Sequence, residues 1–163
     1  RDNLGDWSSD VCSSDLSTPH PIHPALTLLQ TIRAPILILH AINDKTIPSS
    51  HSTSLFSHLL DPLLPSQSFS TPSSILAALN SNDPSIRSRV VLETAEREKA
   101  RAKLVKEEKR GGWGVVKRFG REGFGEGWGE VVFGEAVRGG HNEIGAGEAS
   151  MALIKEVMRA GEE

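Results

Sequence analysis

The sequence predicts an α/β fold, with a partial parallel sheet and helices on its faces. A continuous aliphatic run, Ala34-Pro35-Ile36-Leu37-Ile38-Leu39-His40, has the length of one strand and no polar alternation, as expected of a strand buried on both sides. Residues 49–60 put Leu55, Phe56, Leu59 and Leu60 on one helical face. A second β-rich stretch, 130–137, precedes a helical pattern at 148–159 that carries Met151, Leu153, Ile154, Val157 and Met158 on one broad face.

Taken in chain order, residues 1–16 show neither a two-residue nor a helical period, and no basic and apolar regions of a signal peptide. Their WSSDVCSSDL core resembles the conceptual translation of a sequencing-adapter read, so they are set apart as a non-native leader; a natural polar tail is the other reading. The chain starts with Arg1, not methionine, which reads as a fragment. Prolines crowd residues 17–24 and favour an extended loop. His20 and His23 have the spacing of a metal pair but no third ligand beside them, so a surface loop is preferred and no metal site is assigned. A short amphipathic helix or turn follows at 25–32.

After the first strand come Ala41-Ile42-Asn43-Asp44 and the helix at 49–60, with serines available to cap it. Residues 61–129 read as an insertion within a partial domain at 17–163. The insertion opens with Ser, Pro and Asn in a lid-like excursion, with an apolar patch only at 75–79. Residues 90–110 are helix formers, with Glu93/Arg97, Glu96/Lys99 and Glu98/Arg101 spaced to pair along a solvated helix. Eight of the fifteen glycines fall in 111–129 without a dinucleotide-binding pattern, which predicts a flexible loop.

Composition narrows the function classes. Eighteen basic against twenty-one acidic residues argue against a globally basic nucleic-acid protein, and no apolar run reaches the roughly 18 residues of a membrane-spanning helix. A single cysteine, Cys12, forms no internal disulfide. Charge is uneven: residues 85–121 carry twelve Lys/Arg and five Glu, a local +7 that leaves −10 elsewhere. Such a stretch is usually a solvated face; it is also the basis of a second reading, a non-catalytic module docking on anionic membrane or a protein partner through its basic helix.

Two residues stand out as candidates for chemistry. Asp44 follows the first buried strand and His141 lies in the glycine turn Arg138-Gly139-Gly140-His141-Asn142 after the later one. In open α/β sheets ligands gather beyond the carboxyl ends of strands, and an acid that fixes an imidazole as general base is the working pair of a serine hydrolase. The other aspartates outside the leader, Asp61 and Asp83, precede prolines and read as turn or helix-stop residues, and His40 reads as a packed structural histidine.

The segments PILILHAINDKTIP and VRGGHNEIG resemble the acid-bearing strand and loop and the terminal histidine loop of α/β-hydrolases, with Ala41 standing where a glycine is usual. The LILHA and HNEI wording is most similar to the membrane-associated acylglycerol and lysophospholipid lipase branch and its depalmitoylase relatives. The resemblance covers roughly residues 32–56 and 131–158. It implies the C-terminal part of an α/β-hydrolase that cleaves acyl esters or thioesters, with Asp44 as orienting acid, His141 as base, no cofactor and a small-molecule or lipid acyl ester as substrate.

The nucleophile is not in the chain. A G-x-S-x-G elbow needs glycines around a serine ahead of the acid, and Gly5 is the only glycine before Gly111. The chain alone is therefore expected to be inert. Substrate and organelle are not readable from these residues; an intracellular, membrane-associated setting is the working expectation.

Overall fold

A computed structural model describes residues 28–161. The readings of the 1–16 leader with Cys12, of His20 and His23, and of the start of the 25–32 segment lie outside them. The strands are β1 (Ile36–Ala41), β2 (Lys106–Arg110), β3 (Gly114–Phe119) and β4 (Val131–Ala136). The helices are α1 (Ser49–Leu60), α2 (Pro72–Leu79), α3 (Pro84–Leu104), the single turn α4 (Gly140–Glu143) and α5 (Glu148–Ala160).

The four strands form one mixed sheet in the order β1-β4-β3-β2. β1 and β4 are parallel, in register from Ile36 opposite Val131 to Ala41 opposite Ala136. β3 runs antiparallel to both β4 and β2. The α/β expectation therefore holds, while the expectation of a wholly parallel partial sheet is corrected. Strand alternation decides what each face buries. Ile38, Val131, Phe133 and Phe119 face α1 and pack with Phe56, Leu59 and Leu60. Phe56 is the centre of this cluster, edge-on to Phe119 at 5.1 Å between ring centroids and tilted against Phe133 at 5.6 Å. On the other face Val116 and Val132 pack with Leu153 and Val157 of α5. Gly134 lets that layer close: a Cβ there would lie 2.8 to 2.9 Å from side-chain atoms of Leu39, Leu153 and Trp113.

Two readings within the 61–129 segment are corrected. The helix runs over Pro84–Leu104, not to residue 110, and Lys106–Arg110 is a strand. The glycine-rich 111–129 segment, read as a loop, contains β3 and a 3-10 turn at Glu122–Phe124. The reason is physical. KEEKR is an edge strand, exposed at four of its five positions, so no core imposed an apolar alternation on it, and its Lys and Glu discourage pairing with a further strand. In GVVKRF only Val116 and Phe119 are buried, too short a signal to stand out among glycines.

Arg121 ties this region together. Its side chain is buried, and its guanidinium donates to the carbonyls of Gly129 (2.6 Å), Ile32 (2.7 Å), Ala34 (2.7 Å) and Arg33 (3.3 Å). Trp128 lies over it at 5.2 Å and also meets Phe124. Burial lowers the guanidinium's pKa. The segment read as flexible is thus fixed to the chain entering β1.

Among the other expectations, α1 begins at Pro48 without a side-chain cap, so its serines do not serve as one. Asp83 caps the start of α3 by accepting from Ser85 N at 2.8 Å, whereas it was read as a stop or turn. Glu93 and Arg97 do not pair with each other: Glu93 accepts from Ser68, and Arg97 meets Asp61 and the Pro65 carbonyl. His40 is buried and shares a 3.1 Å hydrogen bond with Ser52, the structural role expected of it.

Candidate active site

Parallel pairing of β1 with β4 carries both chains to the same edge of the sheet, and each leaves in a loop that bears one candidate residue. The Ile42 N–H continues the ladder by donating to the Ala136 carbonyl at 2.8 Å. A β-turn over residues 41–44 follows, closed by the Asp44 N–H on the Ala41 carbonyl at 2.9 Å. The turn places the Asp44 carboxylate where the next residues wrap it: Oδ1 accepts from Thr46 N at 2.7 Å and Ile47 N at 3.1 Å. Oδ2 is left for a partner outside the loop.

That partner is His141, whose Nδ1 lies 3.0 Å from Asp44 Oδ2 across 97 residues of sequence. The glycines ahead of it are required by the path. Gly139 and Gly140 have φ of +145° and +57°, and a Cβ on Gly139 would press on Ile144 Cα at 3.0 Å. The turn then enters α4 with His141 on its first turn. The Asp44 side chain is 5% exposed and that of His141 41%, so the acid is enclosed while the imidazole is open.

The electrostatics follow from these bonds. Enclosure raises the Asp44 pKa, but the N–H groups of Ile47 and Thr46, and then the hydrogen bond and charge of His141, outweigh it and lower the group to about 2. A carboxylate at neutral pH accepts the Nδ1 proton, which fixes the tautomer and leaves Nε2 as the nitrogen able to take a proton. The arrangement is thus an oriented base.

Of the sequence-designated residues, the structure joins Asp44 and His141 directly. Asp61 and Asp83 lie at helix termini. Among the described residues no group of three or more His, Cys, Asp or Glu is arranged to hold a metal, and no serine side chain is hydrogen bonded to His141. Sequence reading passed over Asn43, whose Oδ1 accepts from the Gly140 N–H at 3.1 Å. The available signal was its place beside Asp44 in a turn, where Asn is common for local reasons alone.

No family model matches the chain, and neither a curated protein nor a solved structure was found to match it.

Proposed function

We propose that this chain supplies the acid and the general base of a serine hydrolase acting on acyl esters or thioesters, its nucleophile coming from a residue outside the chain. The single observation that carries this reading is the 3.0 Å contact between Asp44 Oδ2 and His141 Nδ1 at one rim of two adjacent parallel strands. In the proposed reaction His141 Nε2 takes the serine proton as the hydroxyl attacks the acyl carbonyl, then returns it to the leaving group. Asp44 holds the imidazole in the tautomer that can do so and stabilises the imidazolium. Water, activated by the same nitrogen, releases the acyl group. The aliphatic side chains of Ile42, Ile47 and Val137 are exposed on the same two loops, which suits an apolar acyl chain better than a charged substrate.

The test is a longer polypeptide that carries a nucleophile elbow ahead of these residues. It should be labelled by a fluorophosphonate and hydrolyse acyl esters, and His141→Ala should lower turnover by at least ~10³-fold. A labelled protein whose His141→Ala form keeps full activity would overturn the assignment.

A further inference from the structure

The geometry points to Asn43 as the positioning residue of the pair: its side-chain carbonyl holds the histidine loop at the distance from which His141 reaches Asp44. This deepens the hydrolase reading and rests on it. Asp44 is anchored to its own loop through Oδ1, by Thr46 and Ile47. Among the described residues His141 has no such anchor on its own loop: its side chain is open to solvent, and it follows two glycines with positive φ, residues whose backbone is the freest to move. Among the described residues, the hydrogen bond that joins one loop to the other between the strand-end bond of Ile42 to Ala136 and the imidazole itself is Gly140 N–H to Asn43 Oδ1 at 3.1 Å. Gly140 immediately precedes His141, so this bond fixes the backbone from which the imidazole projects. A displacement of about 1 Å in such a group can cost a hundredfold in rate. The position needs an acceptor on a side chain of this length; the amide NH₂ of Asn43 is not required.

The experiment uses the chain itself, labelled with ¹⁵N and ¹³C, and reads geometry without turnover. A scalar coupling across the hydrogen bond should connect the Gly140 nitrogen to the Asn43 side-chain carbonyl carbon in the unsubstituted protein. Asn43→Leu, which removes the acceptor, should speed Gly140 amide exchange by about fivefold or more. It should also broaden or abolish the downfield Nδ1–H resonance of His141. Asn43→Asp, which keeps an acceptor of equal reach, should preserve both signals. Absence of the coupling overturns the inference whether or not the variants fold. So does an Asn43→Leu protein in which the His141 resonance is unchanged, or an Asn43→Asp protein that loses it. An absence of esterase activity in the longer polypeptide would count against the hydrolase reading and leave the loop measurement standing.

Discussion

Asp44 spends one carboxylate oxygen on its own loop and the other on His141, and the first of these expenditures governs its response to acid. Its pKa in the fold is about 2, below the ordinary 3.8, because the N–H donors of Ile47 and Thr46 and the imidazole outweigh the opposing effect of enclosure. A depressed folded-state pKa contributes stability that is fully present above the unfolded value and is lost as pH falls through the folded one. Asp44 therefore contributes in full above about pH 4 and progressively less down to about pH 2. Asp44→Asn should flatten the denaturant midpoint against pH within that window; a variant as acid-sensitive as the parent would show that the carboxylate is not the titrating group. Asp44 and His141 were legible in sequence because each follows a run of buried-strand residues and because their two segments, in this order, resemble the acid and histidine loops of α/β-hydrolases. Asn43 was not, since an exposed asparagine in a turn has many reasons to be there and only coordinates reveal the Gly140 amide opposite it.

Elements were legible in proportion to what they bury. β1, α1, β4 and α5 face the two apolar layers, and their aliphatic runs or helical faces place them within one or two residues of their observed limits. β2 and β3 escaped because pairing, more than burial, defines them: a Lys/Glu ribbon is held by backbone bonds to a short strand between glycines, and that strand by bonds to β4. Packing between elements then adds side-chain links that periodicity does not encode. Glu156 of α5 accepts from Arg110 of β2 at 2.8 Å and from Arg118 of β3 at 2.7 Å, seating the closing helix on the hairpin. Arg121, counted in sequence as part of a basic stretch, is a structural residue that joins the loop before β4 to the segment before β1. Arg121→Ala would remove the charged partner of the Gly129, Ile32 and Ala34 carbonyls along with a buried side chain and should cost about 3 kcal/mol, read as a lower denaturant midpoint at unchanged m-value. Arg121→Lys should rescue little, since an ammonium cannot serve carbonyls spread across a planar fork. Wild-type stability in the alanine variant would mean that the four bonds contribute nothing net.

At the scale of the whole molecule the sheet has two unlike borders. β2 ends it with a row of Lys and Glu, whereas β1, the most aliphatic strand, ends the other side and among the described residues pairs only with β4. An apolar border strand invites a further strand, so the chain should self-associate as its concentration rises. Sedimentation should show a rising average mass, and Ile36→Lys should suppress it; a chain that stays monomeric at high concentration would refute this. The same border is where a larger sheet would add its next strand under the hydrolase reading. A last consequence concerns the four carbonyls around Arg121. Amide oxygens do not titrate, and neither does a guanidinium at any pH a protein survives. Acidification thus loosens the imidazole from its carboxylate, whereas the seam closed by Arg121 contains no group that takes up a proton.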